Sequence, residues 1–333
     1  MVNQRVVVLA GGVGAARFLQ GVVAVTSPED VTVISNVGDD DEIYGVHVSP
    51  DIDIVIYTLA GVVDQAKGFG LTDDTFAVVG ALGRFGADAW FGLGDRDFAT
   101  CLYRTLQLRA GRPLSEITTA IVRSFGLDLT LLPVTDARLA TRVRTPAGTL
   151  AFQDYFVRRR TEDEVLGIDF EGADRASPAP GVLDAISRAG AILIAPSNPF
   201  VSIGPILSVS GVRDAIVASG APVVAVSPIV GGEALKGPAA KMFRSLGGEA
   251  SAAGVAVQYQ GLVDALVIDT VDTTHADAVA ALGITPVIAD TIMRGPVEKA
   301  NLARIALDAA RSIAASRTAP AGAGGQAGTS DLP

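Results

Sequence analysis

Apolar residues in this chain fall into short unbroken runs more often than into alternation. Arg5–Ala10 (RVVVLA), Ala191–Ala195 (AILIA), Val223–Val226 (VVAV) and Ala265–Ile268 (ALVI) are aliphatic runs of strand length. Such runs describe strands buried on both faces, the habit of parallel sheets. Val31–Asn36 and Leu131–Val134 extend the series. Segments of helical period follow some of them, among them Ala15–Val25 and, near the end, Val297–Ala315. Strands and helices in alternation imply right-handed crossovers and a mostly parallel α/β sheet.

Two regions break the rhythm. From about Tyr57 to Gly126 no strand pattern occurs, and Asp74–Phe85, Asp95–Ala110 and Leu114–Phe125 carry helical spacing. This predicts a helical insertion at about 57–128. Thr141–Thr145 and Thr149–Phe156 then flank Pro146-Ala147-Gly148, the outline of a hairpin. Arg158–Arg160 followed by Glu162–Glu164 reads as a solvated loop. Residues 1–316 make one α/β domain. The segment 317–333, rich in Ala, Gly, Thr and Pro, buries too little to order itself.

Composition narrows the class. With 333 residues and 49% hydrophobic content the chain can bury a large core. A net charge of −10, with no basic run, argues against nucleic acid as a partner. Ala189–Val212 and Ala215–Gly232 carry almost no charge, but prolines cut both into pieces too short for membrane spans. The first apolar run is too short for a signal peptide, so the expected location is the cytoplasm. The single cysteine, Cys101, lies in an apolar helical context and reads as a packed core thiol.

The candidate chemistry sits at strand ends. Gly11-Gly12-Val13-Gly14 follows the first strand and opens a helix, and such a turn lets backbone N–H groups approach a phosphate. Together with the sheet it predicts a Rossmann-like three-layer sandwich. No Gly-Lys-Ser/Thr closes the loop, and Arg17 stands where a dinucleotide fold has its third glycine. That weakens a nicotinamide reading. After the second strand come Asp39, Asp40 and Asp41, then Ser49-Pro50-Asp51-Ile52-Asp53. Five aspartates in so short a stretch repel one another, and a divalent cation such as Mg²⁺ shared with substrate phosphates would relieve this. A solvated acidic loop capping a helix is the alternative. Asp95 in Gly92-Leu93-Gly94-Asp95-Arg96-Asp97 reads as a helix N-cap, and Arg96 as a partner for an acid or phosphate. Ser197-Asn198-Pro199 with Ser202, and Ser227-Pro228, leave buried strands as polar turns able to hold a nucleotide. Lys236 and Lys241 lie downstream, within reach of phosphate; His47 falls among the aspartates, and His275 reads as a surface helix residue.

In these motifs the chain resembles the 2-phospho-L-lactate transferase family, CofD, called FbiA in actinobacteria. The resemblance also rests on Leu132-Pro133-Val134-Thr135-Asp136, Phe152-Gln153-Asp154-Tyr155-Phe156, Ser202-Ile203-Gly204-Pro205 and Ser227-Pro228-Ile229, and it extends to about Ser316. It implies a Mg²⁺-dependent transfer from a guanosine diphosphate donor to the deazaflavin precursor Fo, in coenzyme F-420 biosynthesis, with release of GMP. The Ala/Gly/Arg/Val-rich composition tilts the donor toward phosphoenolpyruvyl rather than 2-phospholactyl. Carried over, Asp40 and Asp53 hold the metal and serve catalysis, and Asp53, Gly92, Leu93, Asp95 and Arg96 meet Fo. Gly11, Gly12, Gly14, Arg17, Ser197, Asn198, Pro199, Ser202, Ser227 and Pro228 hold the nucleotide. A homodimer is expected. One departure is Ile54, where the family often has threonine. The alternative reading is a non-catalytic nucleotide-sugar-binding regulator of the YvcK type. Those resemble a Gly-Gly-Gly-Thr-Gly loop and an Asp-Asp-Gly-Gly run, and this chain has neither.

Overall fold

The computed structural model describes residues 5–234 and 237–318. Seven parallel strands form the central sheet: β1 (Val6–Ala10), β2 (Val31–Ser35), β3 (Thr130–Pro133), β4 (Ala191–Ile194), β5 (Val223–Val226), β6 (Ala265–Asp269) and β7 (Thr285–Ala289). Their order across the sheet is β7-β6-β5-β4-β1-β2-β3, the doubly wound order with one strand added. The chain winds from β1 outward to β3, then restarts on the other side of β1 at β4. Ligand crevices form at such a reversal, outside the carboxyl ends of the strands.

The strand interiors explain the unbroken apolar runs. All of β1, β4 and β5 is buried, because helices cover both faces of the sheet. β7 escaped the sequence pattern because Pro286 lies inside it; a proline cannot donate to the ladder and is tolerated at a sheet edge, where β7 sits. Helix α1 (Gly12–Val25) packs on α2 (Pro50–Leu59) and on the terminal helix Pro296–Thr318. The approach to the terminal helix is so close that a Cβ at Gly21 would overlap the Lys299 carbonyl.

Helix α2 takes in the second half of the aspartate stretch. Pro50 occupies its first turn and Asp51 and Asp53 follow, residue types that favour a helix N-terminus. Before α2 comes a small hairpin, Asp41–Ile43 with Val46–Val48. Its two-residue turn, Tyr44-Gly45, has φ of 54° and 77°, the left-handed pair that joins twisted strands.

The insertion holds α3 (Ala77–Arg84), α4 (Asp95–Arg109) and α5 (Leu114–Ser124). A separate apolar cluster seats the hairpin on α4: Ile43, Val46 and Val48 meet Leu93 and Cys101, and Cys101 is a buried core thiol as expected. A three-stranded antiparallel sheet (Ala140–Thr145, Gly148–Ala151, Gly167–Glu171) flanks the crevice. The expected strand Thr149–Phe156 ends at Ala151 and becomes a helical turn over Asp154–Arg158, because Phe152 and Tyr155 then bury on one side. Arg158–Glu164 is largely exposed, though Arg158 reaches Asp88 of the insertion. Thr318 ends the terminal helix, and 319–333 and Lys236 lie outside the described residues.

Candidate functional site

The carboxyl ends of β1, β2 and β4 converge. Gly12 takes φ +76°, which glycine adopts at little cost, and its amide donates to Asp51 Oδ1 at 2.8 Å. Gly11 has no room for a side chain: a Cβ there would lie 2.7 Å from Asp51 Oδ2 and 2.8 Å from the Ser202 Cβ. Ser197, after β4, donates its hydroxyl to the Gly11 carbonyl at 2.8 Å. Asn36, after β2, ties the three loops together. Its Nδ2 donates to Asp51 Oδ2 (2.8 Å) and to the Val201 carbonyl (3.1 Å), and its Oδ1 accepts from the Gly38 amide (2.7 Å). Sequence reasoning passed over Asn36, although a lone amide closing an apolar strand was the available signal.

The helical form of α2 separates Asp53, to which the family resemblance gives the metal and Fo, from Asp51, to which it gives no role. Residues two apart on a helix point to nearly opposite sides. Asp51 faces the glycine turn, while Asp53 turns toward the insertion and pairs with Arg104, which is fully buried on α4. Arg104 also donates to the His47 carbonyl at 3.2 Å. Asp97, nearby, accepts from the Tyr57 hydroxyl at 2.8 Å. Asp40 lies at the junction: its Oδ2 takes the Ser49 hydroxyl at 2.7 Å and meets His47 Nε2 at 3.0 Å. The second oxygen of Asp40 and one oxygen of Asp39 are buried with no hydrogen-bond partner.

This cluster is electrostatically expensive. Burial first, then the neighbouring Asp51, holds the Asp39 carboxyl well above the usual range. Burial pushes Asp51 up to about 6, against the hydrogen bonds from Asn36 and Gly12. Asp97 is pushed up to about 7 by burial and by Asp53. Burial also raises Asp53, and Arg104 opposes it. Asp40, Asp53 and Asp97 thus share one buried guanidinium, while Asp39 and Asp51 have no cation beside them among the described residues. Two orphaned carboxylate oxygens in such a place suit a hard divalent cation, which takes oxygen ligands. Asp53, Asp97 and Cys101 also bring ligand atoms within 4.8 Å of one another, but Arg104 already contacts Asp53 and Cys101 there.

The remaining expected residues divide. Asp95 is not the cap of its own helix: it caps α3, accepting from the amides of Ala77 (3.1 Å) and Val78 (2.9 Å). Asp74 returns the favour to α4 through the amides of Arg96 (2.9 Å) and Asp97 (3.1 Å). The reciprocal pair locks the insertion loop, which sequence spacing could not show because the partners are some twenty residues apart. Arg96 donates to the Thr72 carbonyl at 2.9 Å, Leu93 is buried under the hairpin, and Gly92 is exposed. Asn198 caps its own turn through the Phe200 amide at 2.9 Å, with Pro199 buried behind it. Ser227 closes on Ile229, its hydroxyl donating to the carbonyl at 2.9 Å, next to half-buried Pro228. Gly14 packs against the Pro196 carbonyl. Arg17 is half-buried and makes no ion pair among the described residues. Lys241 donates to the Thr161 carbonyl.

Fold and site together define a doubly wound α/β protein with its glycine turn and an acidic cluster at the reversal of strand order. The comparisons make this specific. Residues 6–307 match the family described as 2-phospho-L-lactate transferase CofD. The chain is 44% identical to the phosphoenolpyruvate transferase of Streptomyces griseus, covering 93% of this chain and 100% of that protein. It is 41% identical to the 2-phospho-L-lactate transferase of Methanopyrus kandleri, covering 91% and 96%. A solved Bacillus halodurans protein of the UPF0052 family shares the fold, with a TM-score of 0.62, 17% identity, and 92% and 99% coverage. The chain belongs to the CofD family of phosphoenolpyruvate and 2-phospho-L-lactate transferases. No single helix among the described residues is long and apolar enough to cross a membrane.

Proposed function

We propose that the protein transfers a phosphoenolpyruvyl group from a guanosine diphosphate donor to the ribityl hydroxyl of Fo, giving dehydro-coenzyme F-420-0 and GMP. The hydroxyl oxygen bonds to the phosphorus that carries the enolpyruvyl ester, the diphosphate bridge breaks, GMP leaves, and the hydroxyl proton is released. Six actinobacterial relatives at 41–45% identity carry the name phosphoenolpyruvate transferase, which favours this donor over 2-phospholactyl. The observation that carries the reading is the pair of buried, partnerless oxygens on Asp39 and Asp40 beside the glycine turn.

The residues present fit Mg²⁺ held by Asp40 with Asp39 or Asp51; of the two expected ligands, Asp53 is the one already neutralised by Arg104. When bound, the ion supplies charge neutralisation of the diphosphate. The chain's own contribution is placement. The first amides of α1 beyond Gly12 have no intrahelical partner and face an incoming phosphate, while Asp51 and Asn36 hold the turn rigid. His47 and Ser49 orient Asp40. Arg104 opposes the effect of burial on Asp53, and Asp53 with the loop from Gly92 to Arg96 borders the acceptor side. Positioning and neutralisation of this kind supply most of the rate in phosphoryl transfer.

The test is GMP release from purified protein with Fo, Mg²⁺ and the guanylylated donor, with mass spectrometry of the product. Binding of nucleotide without turnover would refute the reading in favour of a regulator. A cytoplasmic homodimer completes the proposal, and sedimentation of the purified protein decides the assembly.

A further inference from the structure

The established family does not say what reads the three-carbon part of the donor. A shallow cleft, open to solvent and enclosing only about 20 Å³, lies beside the acidic cluster. Gly38–Asp41 form one wall, and Arg138, Ala140, Arg142, Ala151 and Phe152 contribute to the opposite one. The Thr141 amide donates to the Gly38 carbonyl at 2.7 Å, and the Gln153 amide nitrogen donates to the Asp39 carbonyl at 3.2 Å, so the two walls are fixed relative to each other.

The second wall has a chemical pattern. Arg138, Ala140 and Arg142 occupy alternate positions, and residues two apart in an extended chain share a face. Ala151 pairs with Arg142 on the neighbouring strand. Glu171 pairs with Ala140 on the strand to the other side, so the face presents two guanidiniums flanking the Glu171 carboxylate. Arg138 makes no side-chain hydrogen bond or close ion pair among the described residues, though its charge acts on Glu171. Arg142 uses its Nε for Glu171 at 2.6 Å, and its two terminal nitrogens have no partner among the described residues. Glu171 is more than half exposed, so that ion pair holds Arg142 only weakly against a better acceptor.

We propose that Arg138 and Arg142 bind the carboxylate of the transferred group, which takes the place of the exposed Glu171 between them. This rests on the transferase reading above. Phosphoenolpyruvyl and phospholactyl groups both carry a carboxylate on the carbon that bears the phosphoester. Arginine meets a carboxylate with two parallel N–H donors, a fit that a neutral amide in the same place does not reproduce. The acidic wall handles the cation and phosphate side, and the basic wall handles the acid, so one cleft orients a donor that is anionic at both ends.

The test compares the natural donor with its carboxamide analogue, with Fo as acceptor. Wild type should favour the carboxylate by about 100-fold or more in kcat/KM, as sites built to hydrogen-bond one group do. Arg142→Ala, and more so Arg138→Ala with Arg142→Ala, should cut that preference by about 10- to 100-fold. Titration calorimetry with guanosine diphosphate should give the same Kd for all of them. Both arginines are partly or fully exposed, and Arg138→Ala alone guards against a folding artefact. An unchanged preference in the double variant overturns the subsite while leaving the transferase standing. Equal losses on both donors, together with weaker guanosine diphosphate binding, overturn it as well. A wild type that uses neither donor overturns the transferase reading, and the subsite with it.

Discussion

Arg104→Met tests the reasoning about the buried cluster most directly. The side chain has no exposed surface, and it is the charged partner of Asp53, itself only 4% exposed. Methionine keeps much of the volume and removes the charge. It leaves Asp53 buried beside Asp97 and Asp40, both of which already oppose its ionisation directly or through the shared cluster. Breaking one side of a buried ion pair costs about 3–5 kcal/mol, because the survivor is an uncompensated charge. In a chain of this size that is a fall of roughly 5–10 °C in Tm at pH 8. The sign with pH follows from Asp53. Its folded-state pKa is already raised above 3.8 by burial, and without the guanidinium it rises further. A group with a raised folded pKa is stabilising below its unfolded value and loses that contribution as pH climbs through the folded one. The penalty should therefore shrink toward pH 5 and be full at pH 8. Asp53→Asn added to Arg104→Met should recover a large part of it. The assay is thermal and urea unfolding of wild type, both single variants and the double variant. A penalty under about 1 kcal/mol at pH 8, or one that ignores pH, would refute the picture of Asp53 as a buried charge sustained by Arg104.

Three further outcomes are expected. Because Asp39 and Asp51 are raised, Asp51 to about 6, they must lose protons before holding a cation; the thermal shift produced by Mg²⁺ should grow from pH 5.5 to pH 8 and flatten above it. Asp40→Asn keeps the contacts of Ser49 and His47 but halves the site's ionic character, so turnover should fall about 100-fold or more with little change in Tm. Gly14→Ala would drive a Cβ into the Pro196 carbonyl, so it should lose about 1–3 kcal/mol of stability and weaken nucleotide binding, read by urea unfolding and calorimetry.

Buried parallel strands were legible along the chain because burial on both faces leaves no polar positions, and β1, β4, β5 and β6 appear within a residue of their expected limits. The glycine turn, the helices α4 and α5 and the packed thiol were legible for similar local reasons: backbone freedom, period and composition all act within a few residues. What the sequence could not separate was Asp51 from Asp53. Both sit in Ser-Pro-Asp-Ile-Asp, and a helix beginning at Pro50 sends one to the glycine turn and the other to Arg104. Nor could it show that Asp74 and Asp95 cap each other's helices, or that Asn36 ties three strand ends together, since these partners are distant in the chain. Local physics, then, determined the strands, the turn and the acidic composition of the rim. Tertiary structure alone decided which carboxylate meets a guanidinium and which keeps a free oxygen, because ionisation and ligation depend on what burial brings alongside.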